Sequence, residues 1–313
     1  MSNKKIDLVK QITNIDPSGE EIGYMSWVNV QANLPHSRPF LHSPAERKNN
    51  TALKDLEKDL WVRQNGNYTL TVQSFKTEKN GETVNYGLPY GSIPRLLTAW
   101  VTREAVLKGE RRLELGNTMG DFMRQLGFQS RSGGKTGTDN RLRDQMTRYF
   151  SSRLSLTKSD GTKAAGHSLL RNVNMVDDFD LWWNEKNPEQ GSLWESEMVL
   201  GDRFFKSVTE SPIPIDLRIL AHPDIRRSPL AIDIYCWLTY RMATLKTPVS
   251  ISWAQLQQQF GSDYSRPDHF NKKFIEAAGK VINVYSGARM AEKDDKKGIL
   301  LLPGRPSVQP KIA

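Results

Sequence analysis

The sequence predicts an α+β protein, mainly helical, built as two tandem winged-helix domains behind an N-terminal arm. An order of elements (helix, short strand, helix, helix, two strands) recurs at a spacing of about 135 residues. The third helix of each copy carries an apolar stripe at helical spacing. The stripe is Leu142, Met146, Tyr149, Phe150 and Leu154 in the first copy, and Phe270, Phe274, Ala277 and Val281 in the second. The length, 313 residues, also exceeds one typical domain. The expected division is a loosely ordered arm over 1–60, a first domain over 61–184, a connector over 185–225 and a second domain over 226–313.

Residues 1–50 are polar and broken by Pro17, Pro35, Pro39 and Pro44, which predicts an arm. Ala52–Arg63 reads as a helix with Leu53, Leu56 and Leu60 on one face. Tyr68–Phe75 alternates like a strand, and Lys79-Asn80-Gly81 signals a hairpin turn into Thr83–Leu88.

The first copy of the repeat starts at Ser92-Ile-Pro94 and runs to Lys108, where Gly109 stops it. The second starts at Ser228-Pro229 and runs to about Lys246, before Pro248. Ser before Pro supplies an N-cap and a preset φ. A short strand follows in each, with Leu113 and Leu115, then Val249, Ile251 and Trp253. Short helices come next, ending at Gly127 and Gly261 as expected C′ residues. After the third helix each copy closes with two strands: Leu154–Leu156 and Ser168–Val173, then Val281–Tyr285 and Ile299–Leu302. The charged turns between them, Lys158–Gly166 and Glu292–Gly298, are the predicted wings. The span between the copies is acidic and holds Trp182, Trp183 and Trp194, which reads as interdomain packing.

The net charge is +9, the isoelectric point is near 9.5 and the mean hydropathy is −0.58. A basic balance favours polyanionic partners, nucleic acid first. The charge is concentrated: residues 124–163 hold nine Lys or Arg against three Asp. A helix greasy on one side and cationic on the other, entered through the Gly-rich loop Ser132–Gly137, suits a DNA groove. In the first copy Arg141 and Arg143 are candidates for guanine edges and Asn140 for adenine, while Lys135 and Arg148 are candidates for phosphates. In the second, Arg266, His269, Asn271, Lys272 and Lys273 occupy the start of the third helix. Lys293, Lys296 and Lys297 sit in the second wing and are expected to touch backbone.

Other chemistries find little support. Gly134-Lys135-Thr136 imitates the end of a phosphate-binding loop, but Gln129 stands where that loop needs glycine. Histidines 36, 42, 167, 222 and 269 are scattered without metal-ligand spacing. Asp177, Asp178 and Asp180 read as a solvated acidic run rather than a two-metal nuclease site. Neither a cofactor nor an enzymatic activity is expected. The single cysteine, Cys236, excludes an intrachain disulfide and is expected in a core, as in a reducing cytosol. The N-terminus lacks the apolar run of a signal peptide, and Leu230–Leu245 is too short to span a bilayer, so a cytoplasmic protein without membrane contact is expected.

Several long strings carry a resemblance. They are Gly87-Leu-Pro-Tyr-Gly-Ser-Ile-Pro-Arg-Leu-Leu-Thr-Ala-Trp100, Leu115-Gly-Asn-Thr-Met-Gly-Asp-Phe-Met-Arg-Gln-Leu-Gly127, Arg141–Arg148, Ser228–Arg241 and Gln259-Phe-Gly261. Together they resemble RepA-type plasmid replication initiators over roughly residues 85–310. The resemblance implies an initiator that binds duplex DNA at origin repeats (iterons), helps open the duplex, recruits the host replication initiator and helicase, and often represses its own gene. It also implies copy control of a plasmid, and makes a second copy of the chain a candidate partner. A transcriptional repressor with the same tandem domains and no initiator role is the alternative.

Overall fold

Two helices that are apolar on nearly every side carry much of the core, one at the start of each repeat. A computed structural model describes residues 15–310, apart from 117, 129–131, 133, 135, 136, 160–167, 181–195, 262, 263 and 265. The first half runs β1 (Ile22–Met25), α1 (Trp27–Gln31), α2 (Pro44–Asn49), β2 (Leu60–Asn65), β3 (Tyr68–Gln73), β4 (Lys76–Lys79), β5 (Glu82–Asn85), α3 (Ser92–Lys108), β6 (Arg112–Gly116), α4 (Met119–Gln125), α5 (Thr138–Ser151), β7 (Arg153–Ser159) and β8 (Ser168–Asn174). The second runs β9 (Val176–Asp180), β10 (Ser196–Leu200), α6 (Asp202–Glu210), β11 (Ile213–Asp216), α7 (Leu217–Ala221), α8 (Pro223–Arg226), α9 (Pro229–Thr244), β12 (Val249–Ser252), α10 (Trp253–Phe260), α11 (Pro267–Val284), β13 (Met290–Glu292) and β14 (Gly298–Leu301). The fold is mixed helix and strand.

The core helices α3 and α9 fall where capping and stop signals place them. The Ser228 hydroxyl accepts from Ala231 N at 3.2 Å at the start of α9, and Gly109 ends α3 in the left-handed region. At the start of α3 the cap is Gly91, not the expected Ser92, which lies inside the helix. Gly261 also departs from expectation. Its φ is −72°, so it is not a left-handed stop; a Cβ there would meet the Gln257 carbonyl at 2.6 Å, and this close approach is what requires glycine.

Two three-stranded antiparallel sheets share one plan. Their strand orders are β6-β10-β9 and β12-β14-β13. In each, the strand after the long apolar helix lies at one edge and the last strand lies in the middle. Leu113 pairs with Met198 in the first, and Ile251 with Ile299 in the second. Leu113 and Leu115 are buried under the first sheet, as their alternation predicts. Trp253, read as strand, instead opens α10.

Long-range pairing overturns four expectations. The hairpin β7–β8, expected as the first wing, joins β2 and β3 in a separate sheet ordered β2-β3-β7-β8. The strands equivalent to β13 and β14 are β9 and β10. Second, Ala52–Arg63 is not a helix: a 3₁₀ turn at Thr51–Leu53 precedes strand β2, in which Trp61 is buried while Leu60 and Val62 are exposed. The period is therefore two, not 3.6.

The other two concern the boundaries. Residues 22–34 are no loose arm, because β1 pairs with β11 and Met25, Val30, Ala32 and Leu34 enter the core. Within the expected connector 185–225, the described residues from 196 on are no separate linker, because β10 completes the first sheet and β11 takes up β1. Short apolar segments between prolines found partners about 190 residues away, which no local pattern displays. Trp182, Trp183 and Trp194 lie outside the described residues.

Cys236 is buried on α9, and burial pushes its thiol up. No helix among the described residues is long and apolar enough to cross a membrane.

Candidate nucleic-acid interface

The stripe Leu142, Met146, Tyr149 and Phe150 is buried and docks α5 on the core. Each such side chain contributes on the order of 1.5–3 kcal/mol. That burial fixes which residues face out: Asn140, Arg141 and Asp144 are exposed, and Arg143 is half-buried. Residues two apart on a helix point about 200° apart, so Arg141 and Arg143 leave opposite flanks of α5. They cannot serve the same base pair.

The loop entering α5 is clipped to its first turn. Ser132 N donates to Thr138 Oγ1 at 2.8 Å, and Thr138 N donates to Ser132 Oγ at 3.0 Å. Asn140 Nδ2 donates to Gly134 O at 2.8 Å. Asn140 thus holds the loop as well as standing at the exposed start of the helix. Lys135 lies outside the described residues.

Arg148, expected at a phosphate, is instead buried in an ion-pair cluster. Its side chain is only 9% exposed. Nη1 and Nη2 donate to the two oxygens of Glu57 at 2.6 and 3.1 Å, and Nε donates to Asp144 Oδ1 at 2.8 Å. The guanidinium also lies 5.4 Å from the centre of the Tyr90 ring. Burial disfavours its charge, but Glu57 and Asp144 more than offset this and raise its pKa, while Arg148 and Arg38 hold Glu57 below the usual carboxylate range against its own burial.

Gly87, at φ +77°, makes room for this arginine; a Cβ would come within 2.2 Å of Arg148 Nη1. The string Gly87–Gly91 is therefore a cradle for α5. Tyr90 N completes it by donating to Gln145 Oε1 at 2.8 Å.

The second copy repeats the layout with different partners. Phe270, Phe274, Ala277 and Val281 are buried under α11. Arg266, His269 and Lys272 are exposed, and Lys273 is half-buried. Arg266 forms a two-point pair with Asp268 at 3.1 and 2.6 Å, and Lys273 reaches Glu276 at 3.0 Å. The His269 ring packs edge-on against Tyr264, 5.6 Å between centres. Asn271 turns to the flank, with its Oδ1 buried and unpartnered.

The β13–β14 turn stands over the start of α10. Trp253 Nε1 donates to Lys296 O at 2.9 Å, and Lys297 N donates to Asp295 Oδ1 at 2.9 Å. Lys296 takes the left-handed backbone, φ +53°. Lys293 reaches Asp295 at 3.3 Å, while Lys296 and Lys297 are exposed.

One pair that the sequence did not single out joins the copies. Arg95 on α3 donates to both oxygens of Asp233 on α9, at 2.7 and 2.6 Å. The remaining Arg95 donors go to the carbonyls of Leu34, Pro35 and Gly91. His36 Nε2 bonds Asp233 Oδ2 at 2.9 Å. The available signal was a charge set in the apolar leading stretch of each helix, Arg95 within Ser92–Thr102 and Asp233 within Pro229–Tyr240.

Asp177, from the acidic run, pairs with Arg111. Among the described residues no group of three or more His, Cys, Asp or Glu could hold a metal ion.

The family model for plasmid encoded RepA proteins matches residues 88–255, more than half of the chain. The chain belongs to that family. In this RepA-family chain the match runs from the Arg148 cradle to the start of α10, and α11 lies beyond it. The crystal structure of domains 2 and 3 of RctB, as the selenomethionine derivative, covers 91% of this chain and 97% of its own, with a TM-score of 0.51 at 11% identity. At that identity the likeness concerns the fold alone. A second structure of RctB domains 2–3 covers 77% and 88%, with a TM-score of 0.45 at 10% identity. No curated protein matches the sequence.

Proposed function

We propose that this chain initiates plasmid replication by gripping duplex DNA at origin repeats with two tandem winged helices. In this reading each repeat supplies its third helix, α5 or α11, to a major groove. The sheets β6-β10-β9 and β12-β14-β13 carry the wings. Arg141 reads a base edge at the exposed start of α5, with Arg143 on the other flank and Asn140 shaping the loop. His269, Lys272 and Lys273 serve α11. Lys293, Lys296 and Lys297 hold flanking phosphates, and Lys135 is assigned a phosphate as well.

The observation that carries the proposal is the recurrence of one geometry: a stripe-anchored helix with a cationic, exposed start, twice in a chain of the RepA family. The buried Arg95–Asp233 pair supports it, because it links the two repeats rigidly and so sets the spacing of the two heads. Recruitment of the host initiator and helicase, autorepression and self-association belong to the proposal through the family alone.

An origin-dependent plasmid maintenance assay tests the role. A plasmid carrying the DNA that flanks the coding region, where the reading expects directly repeated segments, should replicate only when the chain is supplied. Maintenance without it would leave a regulator of transcription in its place.

A further inference from the structure

The sheet β2-β3-β7-β8 keeps one side in the core, where Trp61, Leu70, Val72 and Leu154 are buried. Alternation sends Leu60 and Val62 the other way, and they are 49% and 52% exposed. Leu56 and Phe75 are exposed beside them, at 44% and 47%. Ser74 N donates to Asp59 O at 2.9 Å, which carries the pairing past the end of β2 and brings Phe75 alongside Lys58. Leu41 N donates to Leu56 O at 2.9 Å, so a fifth exposed apolar side chain adjoins the row. Single exposed leucines are ordinary on a protein surface, but five gathered in one place mark an interaction site.

The row leads into an open groove of about 700 Å³, lined by Gln73, Phe75, Tyr86, Phe150 and Arg153. Phe75 and Tyr86 stack with 6.1 Å between centres, so the aromatic wall is flat. The charge around the row is positive. Gln73 stands across from Leu60, and Arg153 across from Gln73, so Arg153 lies two strand spacings, about 10 Å, from Leu60. Lys58 sits between Leu56 and Leu60. Lys54, Lys58 and Arg153 have no acidic partner among the described residues. Glu57 points inward to Arg38 and Arg148, and Asp59 is held by Lys76 at 2.5 Å. Within 54–60 that leaves only Asp55 to oppose them.

Three occupants fit this surface poorly. A second copy of the chain would bring the same cations against these. A bilayer would cover Thr71, Gln73 and Ser155, which share the face with Leu60 and Val62 and need hydrogen-bond partners. Duplex DNA would set five apolar side chains against phosphates. Apolar side chains flanked by carboxylates match both the row and its charge. The row from Leu56 to Val62 spans about 20 Å of extended chain, which about four turns of helix cover.

We infer that the outer face of β2 and β3 docks an acidic amphipathic helix of a partner protein. Its apolar side chains cover Leu56, Leu60 and Val62, one of them enters the groove beside Phe75, and its carboxylates meet Lys58 and Arg153. The surface is separate from the starts of α5 and α11, so the inference does not rest on the DNA contacts proposed above.

The probe is a dye-labelled synthetic helix of about four turns, with leucines along one side and glutamates flanking them. Its control carries lysine for every glutamate. Both are titrated into the full chain and followed by fluorescence anisotropy. The acidic helix is expected to saturate one site and the lysine helix to bind roughly tenfold weaker or worse. Leu60→Ser should weaken the acidic helix by roughly fivefold to tenfold. Lys58→Glu should reverse the preference between the two helices, and Arg141→Ala, at the start of α5, should change neither. No saturable binding, equal affinity for the two helices, or unchanged binding in a folded Leu60→Ser chain would each overturn the inference. So would binding lost in Arg141→Ala but kept in Lys58→Glu, which would put the acidic helix on the surface proposed for DNA. Sedimentation with vesicles of phosphatidylcholine and phosphatidylglycerol, abolished by Leu60→Ser, would overturn it too and assign the face to lipid. The wild-type comparison of the two helices decides even if a variant does not fold.

Discussion

Arg95 and Asp233 form a buried two-point ion pair between α3 and α9, the leading helices of the two repeats. Their side chains are 3% and 6% exposed. The pair is not a strong source of net stability, because desolvating both charges offsets most of their attraction. Its value lies in geometry. A guanidinium fork that also closes three carbonyls permits one arrangement of the two helices.

Breaking that pair from one side leaves a buried charge without a partner. Asp233→Asn should cost about 3–5 kcal/mol in urea unfolding. Arg95→Met should cost at least as much, since three carbonyls also lose their donor. A loss too small to move the urea midpoint would mean that the repeats are held by apolar packing alone.

His36 gives the same cluster a pH dependence. Burial lowers its pKa below the ordinary 6.5, Arg95 adds to this, and the bond to Asp233 only partly opposes it. The folded chain therefore keeps His36 neutral, while the unfolded chain takes up a proton near 6.5. The contribution is complete above that value and is lost as pH falls through it. Asp233, held below its ordinary 3.8 despite burial, loses its contribution only at still lower pH. His36→Gln should flatten the stability profile between about pH 5 and 7. An unchanged slope would place the titrating group elsewhere.

Two arginines seven residues apart on α5 should separate cleanly by variant. Arg148→Met strands Glu57 and should lower stability by about 3 kcal/mol, with the base preference of the folded protein intact. Arg141→Ala should leave the urea midpoint unchanged and weaken DNA binding. If Arg148→Met shifts base preference without loss of stability, the cradle is misassigned.

The β13–β14 turn, proposed as a wing, allows charge and backbone to be varied against each other. Lys296 holds a left-handed backbone that glycine adopts without strain. Lys296→Gly should therefore not lower Tm, yet it should reduce the salt slope of DNA binding by about 1 and weaken all sequences alike. With about ten phosphates contacted, the full slope of log K against log salt should be near −9. An unchanged slope would place Lys296 away from the DNA.

Much of the repeat was legible because its signals are local. Caps, stops and stripes locate α3, α5, α9 and α11, and alternation locates β6 and β12. What was illegible depends on distant partners. Leu60, Trp61 and Val62 look equally suited to a helix or a strand until β3 is known to pair with them. The hairpin β7–β8 was expected beside β6 because it follows α5 directly, while the strands of the β6 sheet, β9 and β10, lie further on. Arg148 read as a surface cation because its acidic partner, Glu57, is 91 residues away. Strings as distinctive as Gly87–Gly91 turned out to build the cradle, not the exposed face.

The most direct test measures base preference at every position of one origin repeat, for the wild-type chain and for Arg141→Ala. The account predicts that discrimination worth about 1–3 kcal/mol disappears at one base pair and persists at the rest. A profile identical to wild type, with affinity lowered evenly or not at all, would contradict the placement of α5 in the major groove.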